Sequence, residues 1–374
     1  MTRTDLFSKS IAQIIGIIYE RVPLHELLFT LTVFVCTTIT ILQDYNPEQE
    51  DGEFNMLKFF LKRLIGLVFV IIGVTFITFI LGYIVPEDPI RQMMGQHFDY
   101  NLWVQLRHAY GLDLPWYAQY ANFLKRLAQF NLGLSFQFPN RAVWDILKDG
   151  VPVSLELAFW GLLVQLILGV PLGILSALKA NTWIDTTNMG TMLIVYALPP
   201  FVLAVFAQLF IGWLNTLTGG SWPVSQWGNP WQYSWTDIQY KLVPILVYGA
   251  AGCAYFARLS RTSMLEVLRQ DFVRTARAKG LQERVVVYKH ALRNALIPII
   301  TVLGLSIGFL VAGSFFIETI FNIPGIGRIT ITSVSSLDYP VMQATVVLLA
   351  FGVVIGNLIS DILYTVVDPR IKAE

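Results

Sequence analysis

Six long apolar runs divide this 374-residue chain, covering residues 64–85, 153–178, 190–214, 242–257, 296–317 and 341–367. A helix that crosses a bilayer needs roughly 20 predominantly apolar residues. The runs are continuous rather than alternating, which suits helices and not barrel strands. The expected fold class is an all-α polytopic membrane protein with six core transmembrane helices. A seventh run, 27–42, is shorter and rich in threonine, and it adds a possible extra N-terminal hydrophobic helix. Composition supports the membrane class, because only 14% of residues are charged against about 25% in a soluble domain.

The formal net charge is only +1. Basic charge is local rather than global, which argues against nucleic acid as a partner. His25, His97, His108 and His290 are scattered without ligand spacing, so no metal site is expected. Cys36 and Cys253 both lie in apolar runs and read as small buried hydrophobes rather than a disulfide framework. No cleavable signal peptide is evident, since the stretch Ile11 to Tyr19 is short and lacks a small-residue cleavage site before Pro23.

The connections between runs differ in charge, and positive charge collects on the cytoplasmic side. Lys58, Lys62 and Arg63 precede the first strong run, and a strongly basic segment, Arg258 to Arg293, separates the fourth from the fifth. Four crossings lie between them, so both fall on the same, cytoplasmic side. Residues 86–152 are then extracytoplasmic, with Trp103, Trp116, Tyr117, Tyr120 and Trp144 suggesting an ordered element there. Residues 215–241, with Trp222, Trp227, Trp231 and Trp235, suit an outer interfacial belt. Residues 1–55 form an N-terminal extension with two open arrangements. Either 27–42 spans alone and leaves 1–26 outside, which is the reading carried forward, or it pairs with Ile11–Tyr19 as a hairpin.

The segment Arg258–Arg293 carries nine Lys/Arg and three Asp/Glu. Within it, Ala276 and Ala278 flank Arg277, followed by Lys279 and Gly280. Alanine favours helix and glycine commonly ends one. The pattern predicts a short helix, a sharp turn at Gly280 and a second helix from about Gln282. Topology alone explains the charge but not the alanine–glycine pattern, which suits a helix end that docks on a soluble partner.

On these residues the chain resembles the membrane subunits of ATP-binding-cassette importers. Their cytoplasmic signature is E-A-A, three residues, Gly, nine residues, then I-x-L-P. The matching positions here are Arg274-Thr275-Ala276, Gly280 and His290-Ala291-Leu292-Arg293. Arginine stands for glutamate, histidine for isoleucine and arginine for proline, departures that resemble the dipeptide/oligopeptide permease branch. Further stretches resemble that branch: Tyr110-Gly111-Leu112-Asp113, Asn131-Leu132-Gly133, Phe321-Asn322-Ile323-Pro324-Gly325-Ile326-Gly327-Arg328, Asp338-Tyr339-Pro340 and Asp368-Pro369-Arg370. The resemblance runs from about Met56 to the C-terminus and leaves 1–55 uncovered.

The resemblance implies an importer transmembrane domain over 56–374 with its cytoplasmic coupling segment at 258–295. It implies a second permease subunit, commonly forming a heterodimer, two ABC ATPase subunits below, and an extracytoplasmic peptide-binding protein above, all working at a bacterial cytoplasmic (inner) membrane. Arg274, Thr275, Ala276, Arg277, Ala278, Lys279, Gly280 and Leu281 would couple to an ATPase. No G-x-x-x-x-G-K-[ST] occurs, nor any Gly-Lys dipeptide, so ATP and Mg belong on the partners and the chain is expected to be a transport subunit, not an enzyme. Di- and oligopeptides are the implied cargo; relatives carrying nickel, glutathione or other small solutes share the motifs.

Isolated polar residues supply candidates for a substrate pathway. Glu156 is either a ligand for a peptide ammonium or an acid in the first turn of an interfacial helix. Glu318 reads as a gate or loop anchor, and Asp361 as a partner for cytoplasmic Arg/Lys or a helix-packing contact. Asn322-Ile323-Pro324-Gly325 reads as a turn. Gly304-Leu305-Ser306-Ile307-Gly308 matches the G-x-S-x-G hydrolase pattern, but an intramembrane serine hydrolase needs a nearby base. No histidine lies at the centre of a strong run, and the same glycines suit close helix packing.

Overall fold

The computed structural model describes residues 56–84, 88–95, 98–138, 140–308, 310 and 314–367. The N-terminal extension with its possible extra helix lies outside the described residues. Among the described residues, thirteen helices follow in order. They are α1 (Met56–Ile84), α2 (Pro89–Met94), α3 (Tyr100–Ala109), α4 (Trp116–Ala128), α5 (Val143–Leu178), α6 (Trp183–Ala197), α7 (Pro200–Thr218), α8 (Trp235–Leu268), α9 (Asp271–Ala278), α10 (283–308), α11 (Phe315–Ile320), α12 (Ile326–Ser335) and α13 (Tyr339–Val367). Among the described residues, six helices are long and apolar enough to cross a membrane. They fall in α1, α5, α7, α8, α10 and α13.

Two expected spans differ from the observed helices. The run 190–214 is broken at Leu198, which is extended at ψ 125°, with Pro199 at ψ 142°. Proline disfavours helical backbone in the residue before it and cannot donate to the turn above. The Pro199-Pro200 pair therefore ends α6 and opens α7, and only α7 has spanning length. The run 296–317 is also divided. Helix α10 ends at Gly308 and Ser314 is extended (ψ 98°) ahead of α11. Glu318 Oε1 accepts a hydrogen bond from the Ser314 backbone N–H (2.9 Å), which stabilises this new helix start. Within α10, Val286–Ala291 forms a π-helical turn.

The chain forms two compact units. In the smaller, whose described residues lie within 56–132 and 336–350, aromatic packing dominates. Phe79 and Ile80 of α1 are buried against Tyr120 and Phe123 of α4. The Tyr120 hydroxyl donates to the Ile72 carbonyl (2.8 Å) and lies 3.1 Å from Thr75 Oγ1. Asp88 caps α2 by accepting from Ile90 N–H (2.9 Å), and its other oxygen accepts from Trp103 Nε1 (3.0 Å) and Arg107 (3.3 Å). One carboxylate thus ties α2 to α3. In the last turn of α3, His108 Nδ1 meets Asp113 Oδ2 at 2.8 Å on the exposed surface. That hydrogen bond raises the His108 pKa and lowers that of Asp113.

The described residues of the larger unit lie within 133–335 and 351–367. Its long axis is α5 and α8, running parallel with matched positions 161/248, 169/253 and 173/257. A Cβ on Gly169 would sit 2.7 Å from the Cys253 carbonyl oxygen, and one on Gly173 would collide with the Ala257 carbonyl. From the other side, Gly249 and Gly252 face Val164 and Gln165. Small residues let helix backbones approach closely where apolar surface gains nothing from leaving lipid. Helix α6 runs back along α8, with Asp185 beside Arg261 and Met192 beside Cys253.

Two outcomes are expected from this geometry. Gly173→Leu should overpack the α5–α8 seam and cost about 1–3 kcal/mol, read as a lowered melting temperature in detergent. Gly190→Ala, where no atom lies within 4 Å of the added carbon, should leave stability unchanged or slightly raised. In a histidine NMR titration, His108 should titrate above its ordinary 6.5. Asp113→Asn should bring the midpoint back down, because the neighbouring anion that favours imidazolium is gone.

Candidate functional site

The basic segment folds as an elbow. Helix α9 buries Val273 and Ala276, spaced i and i+3, against Met264, Val286, Val287 and Ala291. Gly280 then turns the chain at φ +74°, a left-handed conformation that costs a side chain strain but suits glycine. The carbonyls of Thr275 and Arg277 accept from the N–H groups of Lys279 and Gly280 (3.1 and 2.9 Å). Across the turn, Arg277 forks onto Glu283 with distances of 2.7 and 3.2 Å. The expected helix, turn and second helix are therefore present, with the second helix starting at Glu283.

The two faces of this elbow differ from the expectation in one respect. Ala276 points inward and supports α9 from below. The outward face carries Phe272, Arg274, Thr275, Arg277, Ala278 and Lys279, and continues through Leu281 to Tyr288. Thr275 donates back to the Asp271 carbonyl (2.9 Å), and Arg274 reaches Asp271 at 3.4 Å. Phe272 and Tyr288 were not singled out by sequence reasoning. Periodicity gave little signal, because Phe272 flanks the buried stripe of Val273 and Ala276 and Tyr288 lies on α10 next to buried Val286 and Val287.

Glu156 lies thirteen residues beyond the start of α5 at Val143, not in its first turn. Helix α5 begins earlier than the apolar run because the Leu134–Ala142 bridge and the Val143 N–H bond to Gly133 O feed directly into it. The Glu156 side chain is fully buried. Its Oε1 accepts from Lys241 Nζ (2.8 Å), and its Oε2 accepts from Trp227 Nε1 and the Trp231 backbone (2.9 Å each). Lys241, 2% exposed, uses its other two N–H groups on the carbonyls of Asn229 and Gln232 (2.7 Å each). Every N–H of the ammonium thus has an acceptor, and the pair fastens the segment between α7 and α8 to both long helices. Sequence reasoning assigned 215–241 wholly to the outer connection and passed over Lys241, an isolated cation at the head of an apolar run.

Glu318, also fully buried, has a different environment. Its Oε1 accepts from Ser154 Oγ (2.8 Å) and Ser314 N–H (2.9 Å), and its Oε2 from Arg328 N–H (3.1 Å). Ser154 Oγ in turn accepts from Ile326 N–H (2.7 Å). The carboxylate and its serine therefore satisfy N–H groups at the starts of α11 and α12, where helix dipoles favour negative charge. Gly325 must be glycine, because a Cβ would strike both Glu318 Oε2 and Ser154 Oγ. The turn at Asn322 (φ +55°) wraps around this carboxylate. The 154–318 pairing, 164 residues apart, had no sequence signal.

Asp361 lies on α13, and its side chain is outside the described residues. The Ser306 hydroxyl donates to the Val302 carbonyl in its own helix (2.9 Å). The structure thus places the eight elbow residues together and sets Glu156 and Glu318 in separate anchoring networks.

These helices and the exposed basic elbow between α8 and α10 define a multi-pass helical membrane protein. The chain belongs to the family of binding-protein-dependent transport system inner membrane components, whose profile matches residues 169–373, while that of the family's N-terminal region matches 56–158. The dipeptide transport system permease protein DppB of Alkalihalophilus pseudofirmus is 36% identical over 334 residues, covering 85% of this chain and 100% of the relative. The di/tripeptide transport system permease protein DppB of Pseudomonas aeruginosa is 39% identical, covering 85% of this chain and 99% of the relative. The glutathione transport system permease protein GsiC of Shigella flexneri is 36% identical over 321 residues, covering 85% and 99%.

Lys241→Met should strand the buried Glu156 charge and destabilise the protein by about 3–5 kcal/mol. The double variant Lys241→Met/Glu156→Leu should regain most of that loss, since a well-packed apolar pair replaces a buried ion pair at little cost. Thermal unfolding in detergent checks both.

Proposed function

We propose that this chain is a permease subunit of an ATP-driven importer that carries di- and oligopeptides across a bacterial cytoplasmic membrane by alternating access. The elbow lies on the cytoplasmic side, where its charge favours retention. It docks in a cleft of an ATPase partner, and nucleotide-driven closure of two such partners is transmitted through Arg274–Leu281. Within that set Arg274, Thr275, Ala278, Lys279 and Leu281 meet the ATPase. Ala276 supports them from the core, and Arg277 braces the turn through Glu283. ATP and Mg are held by the partners. A second permease subunit completes the membrane domain as a heterodimer, and an extracytoplasmic peptide-binding protein delivers cargo.

The observation that carries this reading is the elbow itself: an eight-residue helix with a buried underside, an exposed basic and aromatic face, and a glycine turn held by an ion pair. A rigid base under an exposed face is what a force-transmitting contact requires. Two of the relatives named above are dipeptide or di/tripeptide permeases, which supports peptide cargo. A glutathione permease is as similar, and glutathione is itself a tripeptide. The proposal leaves Glu156 and Glu318 as anchors of the outer loops rather than ligands for cargo.

Two experiments test the proposal. Cells carrying the complete transporter should take up labelled dialanine, lose uptake when this chain is deleted, and show competition by trialanine; uptake that survives deletion defeats the peptide assignment. Phe272→Glu and Gly280→Val should each lower import about tenfold or more, the scale of an allosteric coupling term. The protein should still insert, because Phe272 is exposed and the strain that Val brings at φ +74° falls on an exposed turn whose Cβ meets open space. Unchanged import together with unchanged copurification of the ATPases would remove the elbow from the mechanism.

A further inference from the structure

Helix α6 is a half-helix attached to the protein in an unusual way. Of its fifteen residues, the buried one is charged: Asp185, 4% exposed. Its apolar side chains Trp183, Leu193 and Ile194 are exposed. Asp185 takes both arms of Arg261 on α8, Oδ1 to Nε and Oδ2 to a terminal nitrogen, each at 2.7 Å. Asp185 Oδ2 also accepts from the Asn181 backbone N–H (2.9 Å), which fixes the carboxylate before the helix begins. Higher on the same pair of helices, the Arg258 guanidinium lies 5.0 Å from the Tyr196 ring centre. Such a fork is planar and directional, so it transmits rotation as well as translation, which a lysine point charge does not.

The location of Arg261 gives this fork its meaning. Helix α8 ends at Leu268, and the coupling helix α9 starts at Asp271. Arg261 is therefore ten residues before the elbow and about 10 Å along α8 from its end. On its other side, α6 leads to the break at Leu198-Pro199 and on into α7. A displacement of α9 that moves the end of α8 reaches the start of α6 through Asp185, the buried residue of that helix, while Asn188 on Ser176 and Met192 beside Cys253 hold it farther along.

We propose that Asp185 and Arg261 are positioning residues of the transport cycle: their fork carries motion of the elbow from α8 into the α6–α7 arm. This rests on the importer reading above. The fork predicts tight coupling between ATP use and import. Without it, the ATPases still close on the elbow, but α6 and α7 follow poorly.

The test uses the complete transporter in proteoliposomes with its binding protein and labelled dialanine, measuring ATP hydrolysed per peptide imported. Asp185→Asn and Arg261→Ala should each raise that ratio about tenfold, within the range of measured coupling energies. Arg261→Lys, which keeps the charge and loses the fork, should lie between these and wild type. The double variant Asp185→Asn/Arg261→Ala should raise the ratio no further than either single change, because both remove the same contact. If Asp185→Asn fails to assemble, Arg261→Lys carries the test on the same ratio. A ratio unchanged in the assembled variants, or import and hydrolysis falling in equal proportion, overturns the proposal while leaving the importer reading intact. A wild-type complex that imports no dialanine and no glutathione overturns both.

Discussion

Gly169 and Gly173 bring the backbone of α5 so close to α8 that any side chain there would meet the carbonyl oxygens of Cys253 and Ala257. The rest of the larger unit is arranged around this approach. Once α5 and α8 lie in contact over most of their length, Glu156 on one and Lys241 on the other come within 2.8 Å. That pair then holds the Trp227–Gln232 segment by its carbonyls and ring nitrogen. Glu318 and Ser154 repeat the device for the starts of α11 and α12. In a membrane the hydrophobic effect does little to press helices together. Close backbone approach and satisfied buried charge do the organising instead.

The two ends of the larger unit are built on different principles. The network around Glu156 and Glu318 immobilises loops: each buried carboxylate oxygen and each lysine proton has a partner. The elbow below α8 rests on small and branched apolar side chains, Ala276, Val273, Val286 and Val287, and keeps its polar groups outside. The first arrangement resists deformation because breaking it exposes a charge to a low dielectric. The second leaves a supported but accessible surface.

The helices were largely legible because lipid imposes a length and an unbroken apolar composition on any span. The elbow was legible for a local reason, since an alanine-bearing turn followed by glycine specifies its own backbone. The break at Pro199 was also written locally, and averaging hydropathy over 190–214 concealed it. The division after Gly308 depends instead on Glu318 reaching back to Ser314. The Glu156–Lys241, Ser154–Glu318 and Asp185–Arg261 pairings join residues 76 to 164 positions apart. Nothing in one sequence states which distant charges meet. The inward direction of Ala276 was missed because alanine suits a docking face and a packed face equally well.

The Pro199-Pro200 break has a further consequence, in terms of solvation. A helix end leaves up to four carbonyls without intrahelical partners, and those of α6 fall inside what the composition marks as a single apolar run. Hydrocarbon cannot satisfy them, and irregular backbone at that depth persists only against protein or water. The junction of α6 and α7 therefore marks a patch of this chain that lipid tails do not wet. A boundary between lipid and either protein or water must pass there, drawn by two adjacent prolines.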